Sequence, residues 1–230
     1  MNHAPSYHEN VGQRSPCLLV IDVCTAAGRG GDLARQRDID EINAGLNELR
    51  SSLQADAMTR QRVQLSVIEA GGARNDAEVV VDWVDAADFE PPAIASGTGP
   101  SHLTHALRLA LQHVERHKQT LKGAGITYTR PWIMVISGGE VDVAESGWAG
   151  VVRDCRQAER DKRCVIFPIV LEGGFTSALQ MMSMAPVARL SVGKLGEYFQ
   201  WLCAALSSTS RSAPGAAVAL PSVDKWARFD

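Results

Sequence analysis

The chain has 230 residues, 45% of them hydrophobic and 21% charged, with a formal net charge of −3. That balance is ordinary for a globular protein and predicts neither a basic nucleic-acid-binding face nor a polybasic membrane binder. No apolar run approaches the ~18 residues that span a bilayer, and the polar start "MNHAPSYHENVGQRS" lacks the apolar centre of a signal peptide.

Residues 1–15 read as a disordered lead-in. "CLLVIDV" (17–23) is a continuous apolar run, the pattern of a strand buried on both faces of a parallel sheet. Helical spacing of Ile39, Ile42, Leu46, Leu49 and Leu53 predicts a helix over 38–56, with acids in its first turn. Two strands, 62–70 and 77–84, flank "GGARND", a loop long enough for a hairpin and so for one antiparallel edge strand. A proline-rich loop, "DFEPPAIASGTGP", leads into a helix over 101–121 with Leu103, Leu107, Ala110, Leu111 and Val114 in one stripe. Further strands are predicted at 130–137, 163–171 and 188–192, and helices at 146–160, 176–183 and 194–210. The tail, 211–230, has little periodicity and is expected to pack loosely, through Trp226 and Phe229.

Strands alternating with amphipathic helices define one doubly wound α/β domain over 16–210, a mostly parallel central sheet flanked by helices. Ligands of such sheets bind outside the carboxyl ends of the strands. Three segments fall there, 23–31, 96–102 and 137–142, all rich in Gly, Ser, Thr or Asp.

These three loops, in this order, resemble the metal-ion-dependent adhesion site of the von Willebrand factor A (VWA) domain. "VQLSVIEA", "DFEPPAIASGTGPSHLTHALRLAL", "RPWIMVISGGEVD" and "GEYFQWLCAALSSTS" resemble, more closely, the TerY-like, tellurite-resistance-associated bacterial branch. The similarity covers about residues 16–210 and implies a VWA/Rossmann-like fold. It also implies a cytoplasmic protein working beside a serine/threonine phosphatase and a protein kinase in a stress response.

The metal motif departs from the family pattern. Asp22 matches the first ligand of its DxSxS sequence, but the two serines fall at Cys24 and Ala26. The second-loop threonine falls at Ser101, with Thr98 as the other candidate, and the third-loop aspartate at Gly138. Mg²⁺ demands octahedral oxygen ligands, and Asp22 with Ser101 supplies one carboxylate and one hydroxyl. Glu140 and Asp142 are the only nearby carboxylates that could reach back. The expected state is therefore a degenerate site with no cofactor, Asp22 being held by backbone N–H groups or a hydroxyl.

Smaller signals point the same way. The five cysteines (17, 24, 155, 164 and 203), odd in number and without CxxC spacing, read as reduced thiols. His113 and His117 have the i, i+4 spacing of a zinc pair, yet no further ligands accompany them, and a packed or hydrogen-bonded role is expected. "AGRGG" (27–31) lacks the order of a phosphate-binding loop, and Cys24 has no histidine placed beside it to make it a nucleophile. The Met181, Met182 and Met184 cluster reads as packing, with an adaptable interface as the alternative.

The function expected is a non-enzymatic protein-interaction module with no nucleic-acid or membrane partner. Its partner face would comprise Cys24, Thr25, Ala26, Thr98, Ser101, His102, Gly138, Glu140 and Asp142. The alternatives are a binder that keeps a divalent ion on Asp22 and Ser101, and a small-molecule enzyme on a Rossmann-like sheet.

Overall fold

The computed structural model describes residues 12–229, apart from 23–30, 72–75, 96, 98, 99, 139, 142, 192 and 214–217. Among these residues seven strands form one sheet: β1 (Ser15–Asp22), β2 (Val63–Ala70), β3 (Ala77–Asp85), β4 (Trp132–Ser137), β5 (Val165–Val170), β6 (Ala188–Leu190) and β7 (Ala227–Phe229). Their spatial order is β3-β2-β1-β4-β5-β6-β7. The central pairs β2–β1, β1–β4, β4–β5 and β5–β6 are parallel, and β3 lies antiparallel against β2, as the hairpin loop predicts. The tail corrects the expectation of loose packing. Trp226 is buried, and β7 pairs antiparallel with β6 to make a second antiparallel edge, while Phe229 stays exposed.

Among the described residues six α-helices cover the two faces: α1 (Gly31–Ala55), α2 (Thr59–Arg62), α3 (Leu103–Gly123), α4 (Trp148–Arg160), α5 (Ser177–Met182) and α6 (Leu195–Arg211). Helix α1 begins seven residues before the predicted start. Its first turns carry no apolar stripe, so periodicity alone could not reveal them.

Alternation along β1 divides the core. Cys17, Leu19 and Ile21 join the layer beneath α1 and α6, and Leu18 and Val20 the layer beneath α3 and α4. On the first side Ile39, Ile42, Leu46, Leu49 and Leu53 of α1 are all buried, each contributing about 2 kcal/mol by leaving water. Gly45 lets α1 approach α6, because a Cβ there would lie 1.9 Å from the Phe199 ring. Of the three methionines, Met182 is core, whereas Met181 and Met184 are exposed.

Candidate functional site at the strand tips

Asp22 ends β1 and is 4% exposed. It shares parity with Leu18 and Val20, so its side chain belongs to the α3 side of the sheet. Strand β4 runs alongside with Ile136 opposite Ile21, which brings Ser137 next to Asp22 on that face. Ser137 Oγ donates to Asp22 Oδ2 at 2.7 Å. Ser101 Oγ, just before α3, donates to the same oxygen at 2.8 Å. The Ser101 oxygen in turn accepts the Leu103 N–H at 3.2 Å, satisfying one of the N–H groups that a helix start leaves open. Asp22 thus sits by the positive end of α3, held by two hydroxyl donors. Hydrogen bonds to an ionised acceptor of this kind are worth about 1.5–3 kcal/mol each.

The other predicted positions divide. His102 lies at the N-cap of α3; its carbonyl accepts the Ala106 N–H, and its buried ring Nε2 has no hydrogen-bond partner. Gly138 is buried, and its carbonyl accepts the Phe175 N–H at 2.9 Å. A Cβ on Gly174 would come within 2.4 Å of that carbonyl. The third loop is therefore closed against the segment after β5 by two backbones, with no side chain offered at the position where the family pattern has an aspartate. Glu140 is half-buried, its Oε1 lacking a hydrogen-bond partner. Cys24, Thr25, Ala26, Thr98 and Asp142 lie outside the described residues, as do the "AGRGG" positions 27–30.

Three contributors escaped sequence reasoning. Ser137 could have been found by carrying strand parity from Asp22 across to β4. Thr104 and Glu145 could not, because the bond between them, Thr104 Oγ1 to Glu145 Oε2 at 2.5 Å, ties the loop after β4 to the first turn of α3 across 41 residues.

Large apolar side chains stand exposed around this end of the sheet. Leu33 lies in the first turn of α1, Val143 in the loop after β4 and Phe175 in the loop after β5, at 87%, 54% and 57% exposure. Among the described residues no group of three or more His, Cys, Asp or Glu side chains could hold a metal ion.

The histidine pair lies farther along α3. Ser66 Oγ donates to the Val81 carbonyl at 2.7 Å, so its contact with His113 Nε2 at 3.0 Å makes that nitrogen the donor. His117 Nε2 likewise donates to Gln64 Oε1 at 2.7 Å, while Gln64 Nε2 donates to Asp85 Oδ1 at 2.9 Å. Trp83 stacks on His117 with ring centroids 4.2 Å apart. Burial pushes both imidazoles below their ordinary range, His117 to about 3. Both are neutral, packed rings whose Nε2–H groups are already engaged. Burial also pushes the thiols of Cys164 and Cys203 up, to about 12 and about 11, which removes them from nucleophilic chemistry.

Strand order, the helices on both faces and a carboxylate at the tip of β1 define a VWA/Rossmann-like α/β domain. No family model matches the sequence, and the comparison with curated proteins finds no match. Solved structures do match in fold. The pilus adhesin SpaC of Lactobacillus rhamnosus GG superposes over 86% of this chain and 32% of its own, with a TM-score of 0.60 at 9% identity. The N-terminal domain of TFIIH p34 matches over 82% of this chain and 97% of its own, with a TM-score of 0.50 at 16% identity. The SpRpn10 VWA domain gives a TM-score of 0.48 at 12% identity, over 80% of this chain and 93% of its own. This chain spans about a third of the adhesin's length. At these identities the likeness concerns the fold. Among the described residues no helix is long and apolar enough to cross a membrane.

Proposed function

We propose that this protein is a non-enzymatic protein-interaction module of VWA type whose strand-tip face takes a protein partner with no metal ion between them. The observation that carries this reading is the Asp22 cluster: one carboxylate oxygen accepts two serine hydroxyls, and glycine stands at the third-loop position. Among the described residues one negative charge and two hydroxyls converge there, less anionic oxygen than the dehydration of a hard divalent cation needs. Recognition then rests on the exposed apolar rim, Leu33, Val143 and Phe175, which a partner would cover. The TerY-like resemblance nominates the partner class, a serine/threonine phosphatase or a protein kinase, in a cytoplasmic bacterial stress response that includes tellurite resistance.

The test is affinity capture of the tagged protein from its own cell lysate, with Mg²⁺ and with EDTA, alongside Phe175→Ser and Asp22→Asn. The reading expects a phosphatase or kinase recovered equally with and without the ion, retained by Asp22→Asn and lost with Phe175→Ser. Recovery only in Mg²⁺, lost in Asp22→Asn, would instead establish an ion held by Asp22 and Ser101. Indifference to Phe175→Ser would remove the apolar rim from recognition.

A further inference from the structure

The net charge of −3 conceals an uneven distribution. From Leu103 to Arg130, α3 and the turn after it carry five cations against one acid, Glu115. From Trp148 to Arg163, α4 and its closing turn carry five cations against three acids. Both helices press their apolar stripes on the same core layer, so these charges gather on one side of the sheet. Arg108, Arg116, Lys122, Arg156 and Lys162 are exposed there, and none makes an ion pair among the described residues. A side dominated by one sign of charge draws partners of the other sign and speeds their docking.

A groove of about 330 Å³ lies on this side between the two helices. Both helices begin at the strand-tip end, α3 after Ser101 and α4 after the loop that follows β4, so they run side by side in one direction. Arg108, Leu111 and Glu115 of α3 line the groove at the i, i+3 and i+7 spacing of one helix face, opposite Val151 and Asp154 of α4. Arg108 lies over the start of α4, where a Cβ on Gly147 would come 2.8 Å from its Nη2. Arg163, just past the end of α4, lines the other end. It adds to the Lys118 hydrogen bond in holding the Glu115 carboxyl below its usual range. Arg108 and Glu115 are two turns apart on α3, about 10 Å. Between these levels the floor is apolar, Val151 buried and Leu111 only partly so. The two acids of the groove already face cations, Glu115 meeting Lys118 at 2.8 Å and Asp154 meeting Arg153 at 3.5 Å. Arg163 keeps only a half-exposed contact of 3.7 Å with Asp161, of the weak kind that solvent screens.

We propose that this groove docks an acidic amphipathic helix of a protein partner, with carboxylates at i and i+7 facing Arg108 and Arg163 and aliphatic side chains at i+3 and i+4 seated on Leu111 and Val151. A helix fits because its side-chain ridges pack into the groove between two aligned helices. Carboxylates two turns apart match the separation of the arginines, and a guanidinium receives a carboxylate through two parallel N–H bonds. The acids beside the floor set the partner class. Glu115 and Asp154 would repel the closely spaced phosphates of a nucleic acid, whereas a helix sets neutral side chains opposite them. This surface is separate from the apolar rim at the strand tips, so the domain can hold two proteins at once.

The test is selection from a phage-displayed library of helical peptides, randomised along one face, against the immobilised full chain. The enriched peptides are expected to carry acids at i and i+7 with Leu, Ile or Val between them. Fluorescence anisotropy then measures the enriched peptide on each variant. Arg108→Glu combined with Arg163→Glu should weaken binding roughly tenfold or more, each single reversal should give part of that loss, and added salt should weaken binding further. Leu111→Ser should weaken it about fivefold, and Phe175→Ser at the strand tips should leave it unchanged. Circular dichroism confirms that the variants are folded, and the single reversals decide the matter if the double one is not. No enrichment, a neutral or basic consensus, or affinity unchanged by the reversals would overturn the site. A DNA duplex bound through the same two arginines, with no acidic consensus from the library, would replace the protein partner with a polyanion. Loss of binding in Phe175→Ser would move the peptide to the strand tips and overturn a separate surface.

Discussion

Helix α3 covers two buried polar clusters on one face of the sheet, and they are built to different ends. Beneath its middle, His113 and His117 each donate to a strand side chain, Gln64 passes the chain on to Asp85, and Arg14 stands 3.3 Å from that carboxylate with no exposure of its own. Trp83 closes the cluster by stacking over both rings. Beneath the helix N-terminus, Asp22 gathers two hydroxyls, but the surroundings open outward through half-exposed Ser101 and His102 to the exposed Phe175 and Val143. Hydrogen-bonded polar side chains occur in both. What separates the two is the neighbourhood: an aromatic lid over one cluster, an uncovered apolar rim beside the other.

The sharpest way to break this comparison is at the lock. Arg14→Met leaves the half-buried Asp85 carboxylate without its cation and should cost about 3 kcal/mol in urea unfolding; a loss near zero would reduce Arg14 to a packing role. At the strand tip, Asp22→Ala strands the hydroxyls of Ser101 and Ser137 and should cost about 2 kcal/mol, measured in the same way.

A third prediction uses pH. His117 has a folded pKa of about 3, below the ~6.5 of an unfolded chain. Above pH 6.5 both states are neutral and the packing of the ring is fully available. As pH falls below that, the unfolded state takes up the proton and the folded state does not, so stability declines until the folded pKa is reached. The slope is roughly 1.4 kcal/mol per pH unit for one such group. His117→Gln, which keeps a donor for Gln64 and does not titrate, should flatten the stability curve between pH 6 and pH 4 by about that amount. An unchanged curve would mean that His117 is solvated in the native state.

Most of the framework is legible in the sequence because it is written in periodicity. The continuous apolar runs at 17–23, 130–137 and 163–171 overlap β1, β4 and β5, and the stripes of α1 and α3 lie buried where spacing places them, Leu111 only in part. Asp22 is equally legible, as a carboxylate where a buried strand stops. What the sequence conceals is pairing between distant segments. Three residues of β7 carry no periodic signal, and only their register against β6 makes them a strand. Ser137 reads as the last residue of a strand until parity aligns it with Asp22. The Thr104–Glu145 bond depends on where the loop after β4 meets α3, which no local pattern encodes.

The smallest predicted effect discriminates best between a surface and a core at the strand tip. Ser101 and Ser137 both donate to Asp22 Oδ2 at nearly equal distances, 2.8 and 2.7 Å. Their settings differ, since Ser137 is fully buried and Ser101 half-exposed. Ser137→Ala removes a donor where water has no access and should cost about 1.5–2 kcal/mol. Ser101→Ala opens a place that water can enter, hydrating both the carboxylate and the Leu103 N–H, and should cost only about 0.5–1 kcal/mol. Urea unfolding of the two variants measures the difference. Equal losses would mean that Asp22 is sealed from water on every side; the strand-tip face would then belong to the core, and the proposed partner site would shrink to the apolar rim.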